Sequence, residues 1–179
     1  RFAKSFDVND SNNPIYHIHK NSKPKYDFDI SFSLLINLAS ACNPDTQDIM
    51  WSFISKYDDK LSKGKCNMLD ELVQCAINYY NDLIKNTKQY HSPSDSEIRL
   101  LHQVFNALSK LENESSEEIQ NKIYDIVNES EFSMKNAFKM IYKTLLGLES
   151  GPRLGSFIKI YGVSNMVTLI QSKINSHAH

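Results

Sequence analysis

From about Ile30 onward, apolar side chains recur three and four positions apart, the spacing that lays a stripe along one face of an α-helix. Ile30 to Cys42 is nearly all apolar or small (Phe32, Leu34, Leu35, Leu38, Ala39) and predicts a central, buried helix. Pro44 and Asp45 open the next, with Ile49, Met50, Phe53 and Ile54 on one face. Asn67 to Asn86 carries Leu69, Leu72, Val73, Ala76, Ile77, Tyr80, Leu83 and Ile84 as one long stripe. Ser94-Asp-Ser-Glu97 and Ser115-Ser-Glu-Glu118 read as capping boxes, where the serine accepts from an amide three residues on and the glutamate reaches back. They predict helices running to about Leu111 and about Asn128. Ser133 caps a helix that ends at Gly147, and a short helix after Pro152 and a last one over Val163 to Ile174 complete the set. The expected fold is all-α, a bundle or cage of seven or eight helices.

Residues 1–29 break this pattern. Asn12-Asn13-Pro14 and Asn21-Ser22-Lys23-Pro24 punctuate them, and Ile15-Tyr16-His17-Ile18-His19 alternates as a strand does. This predicts an extended arm or linker over 1–29, ahead of a helical domain over 30–179. The chain begins with Arg1 rather than Met, which reads as a piece excised from something larger or as a processed chain.

Composition narrows the classes. A length of 179 residues and 41% hydrophobic content suit one domain with a real core. The formal net charge of -1 means that any nucleic-acid contact is local rather than spread over the surface. Cys42, Cys66 and Cys75 are odd in number and form no C-x-x-C pair, so free thiols in a reducing cytoplasm are expected, without a disulfide framework or zinc knuckle. No apolar run reaches transmembrane length, so no membrane partner is expected. His17 and His19 share one side of a strand but lack sequence-near ligands to complete a metal site, and none is assigned. The chain has no P-loop, G-x-S-x-G or H-E-x-x-H, and Asp70-Glu71 point in different directions on a helix. No catalytic residue is assigned.

Chemistry concentrates near the C-terminal end. Four of the five glycines (Gly147, Gly151, Gly155, Gly162) lie within sixteen residues, around Arg153 and Phe157, with Lys159 and Tyr161 inside the same stretch. Such a backbone corner can seat a phosphate on its cations or stack an unpaired base on its rings. A plain helix–turn–helix corner needs the same glycines. Lys135, Lys139 and Lys143 at i, i+4 spacing line one stripe of the helix entering this corner, and a solvated face or a polyanion-binding edge would both read so.

Four ordered segments, Asn13–His19, Ile30–Asn43, Leu69–Tyr80 and Leu145–Val163, resemble the C-terminal part of class I lysyl-tRNA synthetases. The last, with Gly151-Pro-Arg-Leu-Gly-Ser-Phe157 succeeded by Tyr161-Gly162, is the most specific. The resemblance implies a helical, cage-like anticodon-binding domain related to that of bacterial glutamyl-tRNA synthetases. Its partner would be the anticodon stem-loop of tRNA-Lys. The ATP-dependent catalytic domain, with its Mg, would lie upstream, and this part would need no cofactor and do no chemistry. Within that frame the chemistry of the residues assigns Arg153 to phosphate or a base edge, Lys159 to phosphate, and Phe157 or Tyr161 to stacking. Lys135, Lys139 and Lys143 are assigned to the RNA backbone. Two rivals are a helical protein-binding adaptor with an exposed apolar groove and a small enzyme assembled from His91, Glu97 and His102, although spacing also suits a partly buried, structural His102.

Overall fold

Two capping boxes and a left-handed glycine set the ends of three helices as expected. In the computed structural model, which describes residues 28–177, Ser94 accepts from the Glu97 amide and Ser115 from the Glu118 amide, and each glutamate carboxylate returns to its serine amide at 2.7 Å. Residues 1–27 of the expected arm, with His17 and His19, lie outside the described residues. Ser133 accepts from the Asn136 amide, and Gly147 closes the helix it begins at φ 72°, a conformation that costs glycine nothing.

Eight α-helices succeed one another among the described residues: α1 (Phe32–Cys42), α2 (Gln47–Tyr57), α3 (Asn67–Tyr79), α4 (Asp95–Leu108), α5 (Ser116–Asn128), α6 (Met134–Leu146), α7 (Leu154–Tyr161) and α8 (Val163–His177). No strand is present among these residues, and no helix is long and apolar enough to cross a membrane. The all-α expectation and the helix count hold. The helix α1 is central as predicted, with Leu35, Leu38 and Ala39 fully buried.

Two elements depart from the sequence pattern. The long stripe from Asn67 to Asn86 is interrupted, because Tyr80–Ile84 forms a π-turn in which the Lys85 amide reaches back to the Tyr80 carbonyl at 2.8 Å. The wider turn rotates the residues within and beyond it, so Leu83, expected in the core, stands 57% exposed. Tyr80 itself stays buried, and its hydroxyl donates to Asn43 Oδ1 at 2.9 Å. In α4 the last amides reach back only three residues, Lys110 to Ala107 and Leu111 to Leu108, so the final turn tightens and the α-helix stops at Leu108. His102 is exposed rather than partly buried.

The core converges on the shortest helix. The helix α7 packs against α1, α2, α5 and α8, and its pairing with α5 is the most extensive among the described helices. Leu154, Phe157, Ile158 and Ile160 are all buried. An eight-residue helix is marginal alone, so its stability comes from these side chains, each worth roughly 1.5–3 kcal/mol on burial. Gly155 permits the close approach. A Cβ built there would lie 2.1 Å from the Ser116 carbonyl oxygen and 2.9 Å from the Gln120 backbone nitrogen. The Gly155 amide donates to the buried Gln120 Oε1 at 2.8 Å, which satisfies one of the free amides at the start of α7. The thiol of Cys42 is pushed up to about 12 by burial and is therefore inert, and all three cysteines are free.

Gly155→Ala is expected to destabilise the chain by about 1–3 kcal/mol, the cost of overpacking against backbone that cannot yield. Urea unfolding monitored by far-UV circular dichroism reads this as a lower midpoint at unchanged slope. A midpoint equal to that of the parent would show that α5 and α7 can separate freely.

Candidate nucleic-acid interface

The glycine corner is first of all a packing device. Gly151 lies against the ring of Tyr142 on α6, where a Cβ would fall 2.6 Å from Cζ. The Tyr142 hydroxyl, its pKa raised by burial, donates to the Pro152 carbonyl and pins the corner to α6. Arg153 then sits at the N-cap of α7, with backbone angles of φ -56° and ψ 127° that aim the chain into the helix. Its side chain is exposed and carries no ion pair among the described residues. With Lys135, it is one of two candidate cations whose side chains form neither an ion pair nor a hydrogen bond among the described residues.

Phe157 is corrected. It is 0% exposed and stacks on Tyr161 at 5.6 Å with ring planes 8° apart, so its faces belong to the core and it cannot receive a base. Tyr161 is half-buried, and its ring is also stacked on Phe53 at 5.5 Å. Burial raises the pKa of its hydroxyl, with the neighbouring Cys42 adding to the effect. Its stacking capacity is spent on protein rings. Lys159 ties helices together, because its ammonium donates to the Glu114 carbonyl at 2.8 Å, just ahead of α5. These three side chains on α7 serve the fold.

The lysine stripe divides in the same way. Lys143, half-buried, donates to Glu149 Oε1 at 2.7 Å, while Lys139 binds Glu149 Oε2. The two ammonium groups hold the Glu149 carboxyl at about 2, far below its ordinary value. Lys135, exposed on the same helix, has no ion pair among the described residues.

What the sequence left apart, the fold brings together. A cleft of about 400 Å³ opens between α5, α6 and the corner, and Lys135, Lys139 and Arg153 share its lining with Glu149. Its walls include Tyr124 of α5 and Phe138 of α6, half-buried rings packed edge to face at 5.5 Å and 71°. Phe138 reads by period as a core residue, and Tyr124 lies on a different helix from every basic candidate. No local pattern in the chain could connect them. Ser150, Gly151 and Pro152 complete its lining. Cations flanking half-exposed rings match the chemistry of single-stranded nucleic acid, whose phosphates need charge and whose bases need a flat apolar face.

Among the described residues no group of three His, Cys, Asp or Glu side chains is placed to hold a metal. His91 and Glu97 do meet, with Nε2 and Oε2 2.8 Å apart. Burial would raise the Glu97 carboxyl, but donation from the Ser94 amide, the His91 ring and the Ser94 hydroxyl lowers it on balance. His102 is exposed and does not line the cleft.

The family model described as "Anticodon binding domain" matches residues 44–172, the greater part of the chain. Lysine--tRNA ligase of Rickettsia africae is 43% identical over 165 residues, covering 90% of this chain and 32% of that protein. The corresponding proteins of Rickettsia massiliae and Rickettsia felis are 42% and 41% identical over the same share of the chain. The chain thus spans about a third of the length of these relatives. No solved structure matches it significantly.

The clamp on Glu149 has a pH signature. Its folded value of about 2 lies below its ordinary 4.5, so its contribution to stability is present above pH 4.5 and is lost as pH falls through about 2. A carbon-13 NMR titration of the side-chain carboxyl is expected to show a midpoint near 2, moving back toward 4.5 in Lys139→Ala and further in the double variant with Lys143→Ala. An ordinary midpoint in the parent would show that the clamp is not formed in solution. On the match over residues 44–172 and the identity to its relatives, this chain belongs to the anticodon-binding domain family, as represented in lysine--tRNA ligases.

Proposed function

We propose that this domain holds the anticodon stem-loop of tRNA-Lys for a longer, class I lysine--tRNA ligase that attaches lysine using ATP and Mg in a catalytic part outside this chain. The observation that carries the reading is the cleft in which Lys135, Lys139 and Arg153 surround Tyr124 and Phe138. Anticodon bases are unpaired, so their faces and edges are free to enter such a cleft. The half-exposed rings take a base, Arg153 takes a phosphate or a base edge, and Lys135 holds backbone. Uridine-rich anticodons stack weakly, so hydrogen bonds at the uracil edge supply most of the discrimination, at roughly 1–3 kcal/mol each. The domain itself performs no chemistry, and a cytoplasmic location accords with translation as its setting.

Glu149 has a definite part in this reading. It occupies, with one carboxylate, the seat between Lys139 and Lys143 that an RNA phosphate would take. RNA must displace it, which lets the lysines stay screened until a polyanion arrives. The protein-binding adaptor is not favoured, because the family is one of anticodon binding.

Binding of a tRNA-Lys anticodon stem-loop, beside one with the central uridine changed, tests the proposal at two salt concentrations. The expected result is selective binding that weakens with salt. Arg153→Ala is expected to weaken it by roughly 1–3 kcal/mol, Lys135→Ala by less, and Glu149→Gln to strengthen it. Selective binding indifferent to Arg153, Lys135 and Glu149 would move the site elsewhere. Equal or absent binding to both loops would remove the anticodon reading.

A further inference from the structure

A second concave site lies away from the cleft. The segment after the π-turn runs back along the C-terminal end of α6, where the Gln89 amide donates to the Gly147 carbonyl at 3.2 Å and the His91 amide to the Lys143 carbonyl at 3.3 Å. Between this segment, α6 and α8 is a hollow of about 350 Å³, lined by Tyr90, His91, Ser92, Thr144, Lys173 and Ser176 among others. That volume is at the small end of sites that take small molecules, roughly 300–1,000 Å³.

Its lining is polar in a way the fold does not use. Thr144 is 1% exposed, and its hydroxyl has no hydrogen-bond partner among the described residues. A buried hydroxyl left unpaired costs about 1–3 kcal/mol, and a ligand oxygen in the hollow is one partner that would satisfy it. The Lys173 ammonium rests 4.1 Å from the centroid of the Tyr90 ring and has neither carboxylate nor hydrogen-bond acceptor among the described residues. Tyr90 is 53% exposed, so part of its surface is open to a ligand. Lys88 stands behind it, with its ammonium 3.5 Å from the Tyr90 hydroxyl and 2.6 Å from the Ser40 carbonyl at the end of α1. Burial lowers the Lys88 pKa, and repulsion from Lys173 lowers it further. Two cations therefore stand close together, and no carboxylate among the described residues pairs with either. The negative features nearby are already engaged: Glu97 by His91 and Ser94, and the last carbonyls of α6 by the Gln89 and His91 amides.

We propose that this hollow is an anion site for the phosphoryl group of a nucleotide. Lys173 supplies the charge, the Thr144 hydroxyl donates to a phosphate oxygen, Ser92 and Ser176 stand at the rim, and the free surface of Tyr90 meets the attached base or ribose. Two sources present this chemistry, an RNA backbone and a free nucleotide. Only the RNA source rests on the anticodon reading.

The test tracks backbone amide shifts of the whole chain by NMR at constant ionic strength, titrating uridine 5′-monophosphate and, separately, the anticodon stem-loop. The expected result is saturable movement of the Tyr90, His91 and Ser176 amides with at least one of them. Lys173→Met, which keeps the apolar stem, is expected to weaken that binding about tenfold or more. Thr144→Val is expected to weaken it several-fold at an unfolding midpoint no lower than that of the parent, because the unpaired hydroxyl is removed. Saturation by the mononucleotide without movement by the stem-loop identifies a free-nucleotide site, and this outcome stands even if the cleft binds no RNA. Saturation by the stem-loop that Arg153→Ala leaves intact at these amides identifies a second RNA contact. Linear, unsaturating shifts with both ligands overturn the proposal, as does equal affinity in Lys173→Met.

Discussion

The contact on which the rest of the molecule depends is the pressing of α7 onto α5 at Gly155. There the Ser116 carbonyl and the Gln120 side chain occupy the space a Cβ would need, and the Gly155 amide finds its acceptor on Gln120. This one approach lets an eight-residue helix become the hub for α1, α2, α5 and α8. It also decides where Arg153 emerges, because the residue just before the helix must clear both α5 and the Tyr142 ring. Site and core are thus one construction, in which the apolar side of α7 points inward and the cation at its start is left on the rim. Gly151 does the corresponding work against α6, so both walls of the cleft are set by glycines.

Electrostatics in this domain is arranged rather than abundant. With a net charge of -1 the chain cannot attract a polyanion by its overall field. It instead gathers cations at places where few carboxylates compete. At the cleft a single carboxylate, Glu149, answers two of the lysines and leaves Lys135 and Arg153 unanswered. At the hollow, Lys88 is partly retired into the end of α1, while the Lys173 ammonium lies beside an exposed ring. Each place combines charge with an aromatic surface, a pairing that suits nucleotides better than carboxylate ligands or protein partners.

Several parts of this were legible in the chain. The capping serines Ser94, Ser115 and Ser133 and the stop at Gly147 mark helix ends because capping is local: donor and acceptor lie within four residues. The region Gly147–Gly162 stands out because glycines are scarce elsewhere. The rings and cations within it were harder to sort. Phe157, Tyr161 and Lys159 have the right chemistry for RNA, yet spend it on the core, on Phe53 and on the Glu114 carbonyl. The side of a short helix that faces inward is set by its neighbours, and these come from distant parts of the chain. The π-turn at Tyr80 likewise escapes a periodicity argument, since one widened turn rotates Leu83 outward without changing its residue type.

Local composition, period and caps by themselves determined an all-α chain, its helix order and the stretch where its chemistry gathers. The ordered motifs along it were enough to place its family. Tertiary structure alone decided which cations remain free, because ion pairing depends on distance in space: Glu149 reaches Lys139 and Lys143, and no carboxylate among the described residues reaches Arg153 or Lys135. It alone joined Tyr124 to Phe138 and Lys173 to Tyr90, pairs far apart in sequence that meet only because packing of the apolar faces leaves one arrangement of the helices.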